Sequence, residues 1–157
     1  MRNAMMQKIV DQNTFNYVVA HLAKQNDRAV AEGKGYCSCQ YLAPDGKSCA
    51  MGCLLDHSKV EGIKRMEGGG VTHVTDILYQ HFRAGFRAVM QPQFRDVNVS
   101  LMRDLQGVHD GSMEEDARHM DKRGHFGDIT KNMLRVFAHK YKLIAPAVIK
   151  PVWPFET

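Results

Sequence analysis

The sequence predicts a helix-rich single domain of the α+β class, with one β-hairpin that carries cysteines. Three observations lead to this prediction. The length of 157 residues fits one domain better than two separate cores. Apolar residues recur at the three- and four-residue spacing of helix faces in several stretches. A proline and a glycine mark a tight turn between two short cysteine-bearing runs.

We predict four parts within this domain. Residues 12–67 form a module of one helix and the hairpin, and residues 68–70 form a glycine joint, because three successive glycines lose much backbone entropy on ordering. Residues 71–145 form a helical part. Residues 146–157 form an extended tail, because three prolines fall within them.

The first helix is predicted from about Asn13 to Gln25. Its N-terminal cap is expected at Asp11, Asn13 or Thr14, whose side-chain oxygens can accept from backbone N–H groups. Apolar side chains at helical spacing form the face directed at the core, namely Phe15, Val18, Val19, Leu22 and Ala23.

A β-hairpin is predicted next, with strands over residues 36–42 and 47–50. Pro44 presets φ for the second position of the turn, and Gly46 accepts the positive φ that closes it. The turn therefore predicts two paired strands.

Strand alternation places Tyr41 opposite Cys49 and puts three cysteines on one face of the hairpin, namely Cys37, Cys39 and Cys49. The small residues Ala50 and Gly52 follow. They indicate that the backbone packs closely against a neighbouring segment there.

Four more helices are predicted in the helical part. One spans about 74–89 and ends at Gln91–Pro92, a second spans 101–108, and a third runs from Ser112 to about Arg123. Asp128 is expected to cap the fourth. Its inward side chains are predicted to be Ile129, Met133, Val136 and Phe137.

The cysteines and one histidine are the candidate metal ligands. Zinc favours four thiolate or imidazole ligands, and possible zinc is the one cofactor that this sequence suggests. The thiols are alternatively small buried side chains that pack the core, or one of them is reactive. The candidate ligands are Cys37, Cys39, Cys49, Cys53 and His57.

A second candidate centre is His109–Asp110, with His73 and His81 upstream and Asp121 or Asp128 downstream. This order resembles the ligand order of metal-dependent phosphohydrolases of the HD superfamily, in which a metal generates the attacking hydroxide. The other explanation is that a helix ends there and that its C-terminal dipole favours His109.

Charge is concentrated near the C-terminus. The net charge is only +4, but residues 129–155 contain five lysines or arginines and no acid. This stretch can contact phosphates or an acidic protein, or it can be an ordinary solvated face. Trp153 in the tail either docks on a partner or anchors the tail on the protein's own core. The candidate binding residues are Lys131, Arg135, His139, Lys140, Lys142 and Trp153.

Several segments together resemble a family of small uncharacterised bacterial and bacteriophage proteins. The resemblance covers about residues 12 to 110, and its most specific part is Cys-Ala-Met-Gly-Cys-Leu at residues 49–54. It implies a mixed α+β fold and a phage or bacterial setting, and it implies no particular activity. The residues that carry it include His21, Gln25, Tyr41, Gly46, Lys47, Glu61, Gly62, Leu105, Gln106, His109 and Asp110.

The sequence therefore predicts a non-enzymatic binding or regulatory protein of phage or bacterial origin. It would act on a host protein or a nucleic acid through its basic C-terminal part. The alternative is a small metal-dependent enzyme, either HD-type or with a zinc site. The longest apolar runs fall short of the ~20 residues that span a membrane. The N-terminus lacks a signal-peptide pattern, so we expect a cytoplasmic protein without membrane contact.

Overall fold

The computed structural model describes five stretches of the chain, namely residues 3–26, 41–59, 61–63, 87–109 and 126–150. Helices make up 65% of this part, and none of its residues belongs to a β-strand. The predicted α+β class is therefore wrong, and the described fold is α-helical. Its three long helices are α1 (Ala4–Gln25), α2 (Val99–Gly107) and α3 (Asp128–Lys140).

Helix α1 begins at Ala4, well before the predicted start near Asn13. Its cap is Asn3, whose side chain accepts a hydrogen bond from the backbone N–H of Met5 at 3.0 Å. The helix ends at Asn26, which has a φ of 49° and donates its backbone N–H to the carbonyl of Leu22. A left-handed asparagine is a common helix terminator.

Asp11 lies inside α1 and joins it to α2. Its carboxylate accepts from the side chain of Gln7 at 2.9 Å and from the backbone N–H of Asn98 at 2.8 Å. Asn98 is the N-cap of α2, where its own side chain accepts from the N–H of Ser100. Gln7 also donates to the carbonyl of Asp96. These contacts hold the first turns of α1 in place, which lie before the helix start predicted from the apolar pattern.

The predicted turn is confirmed, but the predicted hairpin is not. The N–H of Ala43 donates to the carbonyl of Lys47 at 2.7 Å, and Gly46 has a φ of 88°. The backbone of Ser48 then bonds to side chains of α1, with its N–H on Gln25 at 3.0 Å. Because α1 takes these groups, Ser48 has no ladder partner in a strand, and the described part contains no β-hairpin.

The cysteine-bearing segment forms a helical turn instead of a second strand. The N–H of Cys53 donates to the carbonyl of Cys49 at 3.0 Å, and a short 3₁₀ helix follows over Gly52–Leu54. Leu55 then makes an isolated antiparallel bridge with Met90. Tyr41 therefore does not pair with Cys49 as a strand neighbour.

Gly52 is required where the backbone of Tyr41 crosses it. A Cβ atom at position 52 would lie 1.8 Å from the carbonyl oxygen of Tyr41. The close backbone approach that the sequence predicted near this glycine is therefore confirmed. Only a residue without a side chain fits this crossing.

The apolar stripes of α1 and α2 were predicted correctly and form the core. Every one of the following side chains is buried: Phe15, Val18, Val19 and Leu22 of α1, and Leu101, Met102, Leu105 and Val108 at α2. They pack with Leu54, Leu55, Met90 and Phe94 from the intervening segments. A helical repeat of apolar residues was sufficient to find both faces.

The orientation of α3 differs from the prediction. Its buried side chains are Thr130, Leu134 and Ala138, whereas Ile129 and Val136 are 49% and 56% exposed. The predicted inward face is therefore wrong for Ile129 and Val136, whereas Met133 and Phe137 are partly buried against the core as predicted. The N-cap is also Gly127 rather than Asp128, which is the first helical residue.

The end of α3 is fixed by two backbone hydrogen bonds. Lys142 donates to the carbonyl of His139, and Leu143 donates to the carbonyl of Ala138 at 2.8 Å. Lys142 itself has a φ of 54°, the left-handed conformation that usually favours glycine. The chain then attaches to α1, because Gln12 both accepts from the N–H and donates to the carbonyl of Ile144.

Part of the predicted extended tail is helical, since Ala147–Ile149 forms a 3₁₀ turn. Several predicted features lie outside the described residues. They are Cys37, Cys39 and the first part of their strand, the glycine joint at 68–70, residues 74–86 of the helix predicted over 74–89, the helix at 112–123, and Trp153. In the part that the structure describes, no helix has the length and apolar character to span a bilayer.

The crossing at Gly52 makes a testable prediction about stability. Gly52→Ala should destabilise the fold by roughly 1–3 kcal/mol or prevent folding, because backbone atoms must move to admit the new Cβ. The measurement is the free energy of unfolding in urea. The control is Gly107→Ala in α2, where a Cβ meets no atom within 4 Å. That variant should gain roughly 0.5–1 kcal/mol. Equal stability of the two variants would contradict the crossing.

Candidate partner-binding surface

The two described cysteines lie inside the protein and bond to the turn that contains them. The Sγ atom of Cys49 accepts from the N–H of Gly52 at 3.2 Å, and the thiol of Cys53 donates to the carbonyl of Ala50 at 3.1 Å. Cys49 is 1% exposed and Cys53 is 4% exposed. Burial raises the pKa of Cys53 well above its usual range, so its thiol stays protonated.

His57 lies on the surface beside this turn, and its Nε2 atom donates to the carbonyl of Gly52 at 2.9 Å. Within the described stretches, no three His, Cys, Asp or Glu side chains form a group that could hold a metal ion. Cys37 and Cys39 lie outside those stretches. The zinc site therefore stays a prediction, while the contacts of Cys49 and Cys53 agree with the alternative of core packing.

The second candidate centre is described only in part. His109 is fully buried just beyond α2, and Asp128 is exposed at the start of α3. Its other members lie outside the described residues, namely His73, His81, Asp110 and Asp121. The HD-type arrangement therefore stays a prediction.

Two side chains of α1 hold the backbone of Ser48. Its carbonyl accepts from His21 Nε2 at 2.8 Å and from Gln25 Nε2 at 2.9 Å, while its N–H donates to Gln25. Burial lowers the pKa of His21, and the nearby imidazoles of His109 and His57 lower it further. The contact with the Ser48 carbonyl opposes this shift in part.

Several of the predicted basic residues make contacts within the protein. Arg135 donates from Nη1 to the carbonyl of Ile149 at 2.5 Å. Lys140 donates to the carboxylate of Asp104 at 2.7 Å, and this hydrogen bond raises the pKa of Lys140. Lys131 lies over the ring of Phe126, with Nζ at 5.8 Å from its centroid.

Three basic side chains remain at the surface around these contacts. His139 and Lys142 are exposed at the end of α3. Lys150 is also exposed, and the hydrogen bond from Arg135 to the adjacent residue brings it next to the helix. We call His139, Lys142 and Lys150, together with Arg135, the basic surface. Its members come from one helix and from the segment after it.

An exposed row of mixed character runs along the outer side of α3. We call it the outer row, and it consists of Ile129, Asn132, Val136 and His139. These four residues are exposed and are spaced at i, i+3, i+7 and i+10, so they lie on one face of the helix. Because residues in a helix are about 100° apart, Arg135 lies on one edge of this row and Lys140 on the other.

Sequence reasoning found the basic residues but missed the outer row and the contacts at Ser48. It placed Ile129 and Val136 in the core because they are more apolar than the threonine and alanine that are buried. For Ser48 a signal was present, since His21 and Gln25 are polar residues four apart that lie next to the apolar stripe of α1.

Comparisons of the chain with known protein families, curated proteins and solved structures found no match. The resemblance to a bacterial and bacteriophage family therefore remains a prediction from the residues alone.

The environment of His21 predicts a pH dependence. Its pKa is lowered from 6.5 in the fold, so the unfolded chain binds more protons in that range. Stability should therefore fall as the pH drops below about 6.5. Urea unfolding between pH 7.5 and 5 should show a smaller loss of stability in His21→Gln than in the wild type. A wild-type slope in His21→Gln would contradict this explanation.

Burial of Cys53 predicts slow alkylation. In the native protein at pH 8, iodoacetamide should leave Cys53 largely unmodified, because the reactive thiolate is not populated. In denaturant the same thiol should react fully, as located by peptide mass spectrometry. Rapid modification of Cys53 in the native protein would instead support a reactive thiol.

Proposed function

We propose that this chain is a non-enzymatic binding protein that contacts an acidic protein partner through the basic surface of α3 and the segment after it. The single observation that carries this proposal is the arrangement of α3. The helix buries a narrow stripe and leaves cationic and aliphatic side chains exposed on its other sides. Such a surface complements a partner that combines carboxylates with apolar groups.

The local charge supports an acidic partner. His139, Lys142 and Lys150 lie in a stretch of sequence that contains no acid from residue 129 to 155. The hydrogen bond from Arg135 to the carbonyl of Ile149 holds the helix and the later segment together. Cations from two segments therefore add to one local field, which attracts carboxylates and increases the association rate.

The apolar side chains favour a protein over a nucleic acid. Val136 and Val148 are 56% and 45% exposed close to these cations. Apolar side chains of this kind make few favourable contacts with a charged phosphate backbone. Among the described residues, the aromatic rings near these cations are also engaged: Phe126 is buried, Phe137 packs against the core, and Tyr141 donates its hydroxyl to Asp104 at 2.5 Å. Single-stranded nucleic acids usually stack their bases on exposed aromatic rings.

The setting of the cysteines also supports a role other than catalysis by a thiol. Cys53 is protonated, and both described thiols bond to their own turn. Nucleophilic cysteines instead occupy partly exposed, electropositive sites. We therefore assign Cys49 and Cys53 a packing role in this proposal.

The proposal predicts binding to an acidic polypeptide at low salt. The full chain is titrated into a fluorescein-labelled polyglutamate of twenty residues, and separately into a labelled duplex DNA of similar length. We expect polyglutamate to bind more tightly, with an affinity that falls as salt screens the charges. The double variant Lys142→Gly, Lys150→Gln should bind roughly five- to tenfold more weakly.

The control is Lys8→Gln, Lys24→Gln, which removes two exposed charges from α1 and should bind like the wild type. Loss of stability should not explain a weaker Lys142→Gly variant, because glycine suits the left-handed φ of position 142. Tighter binding of the duplex than of polyglutamate would overturn the proposal. So would the absence of polyglutamate binding at low salt, or equal effects of the two double variants.

A further inference from the structure

The outer row of α3 has the spacing of a coiled-coil seam. Ile129 and Val136 are seven residues apart, as are Asn132 and His139, and each pair is offset from the other by three residues. In a heptad this is the pattern of alternating a and d positions. All four side chains are exposed, so the seam faces outward from the core formed by Thr130, Leu134 and Ala138.

The second half of this seam has basic edges. Arg135 occupies the g position on one edge and Lys140 the e position on the other, whereas the preceding g and e positions hold Asp128 and Met133. These positions set partner choice in coiled coils through charge pairs between helices. Although Lys140 pairs with Asp104, its side chain is still 56% exposed and can share its charge with a second carboxylate. Both edges of this second half therefore favour acidic residues in a facing helix.

We propose that the outer row is the docking site for an amphipathic helix of the partner protein, with aliphatic residues along its seam and acidic residues on both flanks. This inference rests on the proposed function and names the partner's structure. Helix α3 has 13 residues, which corresponds to a length of about 20 Å. A partner helix of about two heptads matches that length.

Charge argues against a parallel pair with a second copy of this chain. Two α3 helices that paired in parallel through their outer rows would bring Arg135 of one copy against Lys140 of the other, and such like charges repel. Asn132 and His139 add polar groups to the seam. Polar seam residues reduce affinity but select one register, so a specific partner helix fits better than a general apolar surface.

The exposed apolar side chains of α1 provide a matched comparison. Met5, Met6 and Ile9 are 69%, 53% and 43% exposed on the first turns of that helix. Lys8 is the one basic residue between Ala4 and Asn16, so this surface lacks the paired basic edges of α3. A substitution of Ile9 therefore removes an exposed aliphatic side chain without changing the outer row.

The test uses the full chain and three labelled helical peptides of two to three heptads, measured by fluorescence anisotropy. The first peptide has leucine at its seam positions and glutamate on both flanks. The second replaces the flanking glutamates with lysine. The third keeps the glutamates but has glutamine at the seam. We expect the first peptide to bind at least tenfold more tightly than either of the others.

The variant Val136→Ser should weaken binding of the first peptide roughly five- to tenfold, because the contact of a half-exposed valine is lost. Ile9→Ser should leave it unchanged. Both sites are exposed, and unchanged circular dichroism and urea midpoints will verify that the variants are folded. Arg135→Gln is avoided, because that side chain also holds the segment at Ile149.

The outcomes separate this inference from the proposed function. If the third peptide binds as tightly as the first and Val136→Ser has no effect, the seam is wrong and the basic surface remains supported. If the lysine-flanked peptide binds as tightly as the glutamate-flanked peptide, the charge argument fails and both proposals are overturned. Binding of duplex DNA that is tighter than binding of the first peptide and unchanged in Val136→Ser would also overturn both.

Discussion

The described fold depends on polar side chains of α1 that bond to the backbone of the surrounding segments. A protein that brings irregular segments to its core must provide partners for their N–H and C=O groups, because an unsatisfied buried group costs about 1–3 kcal/mol. Helix α1 and its cap supply these partners from one end to the other. The side chains concerned are Gln7 and Asp11 for residues 96 and 98, Gln12 for Ile144, His21 and Gln25 for Ser48, and Asn26 for Phe126.

The same principle explains the environment of the cysteine-bearing turn. Two amide side chains from later in the chain bond to it. Gln106 of α2 accepts from the N–H of Met51, and Gln91 donates to the carbonyls of Cys53 and Leu55. The turn is thereby enclosed by groups that satisfy its backbone and exclude water. A thiol in such a place contributes volume and weak hydrogen bonds, and its acidity is suppressed by burial.

Helix α3 differs from α1 because its outer side is not used by the described core. Its two flanks are instead held by single contacts, from Arg135 to Ile149 and from Lys140 to Asp104. In this orientation Thr130, Leu134 and Ala138 are buried, whereas Ile129, Val136 and the basic side chains lie at the surface or on the edges. That distribution is the physical basis for the proposed partner-binding role of α3, whereas the polar side chains of α1 serve the fold.

The sequence by itself determined the apolar faces of α1 and α2 and the turn around Pro44 and Gly46, because these features depend on local repeats and on the φ preferences of single residues. Only the tertiary structure decided the conformation after that turn and the rotation of α3. Both depend on partners that are distant along the chain, such as Gln25 for Ser48 and the core cluster that buries Leu134 and Ala138 for α3. A local pattern shows that a helix has an apolar side, but contacts with distant segments decide which side is buried.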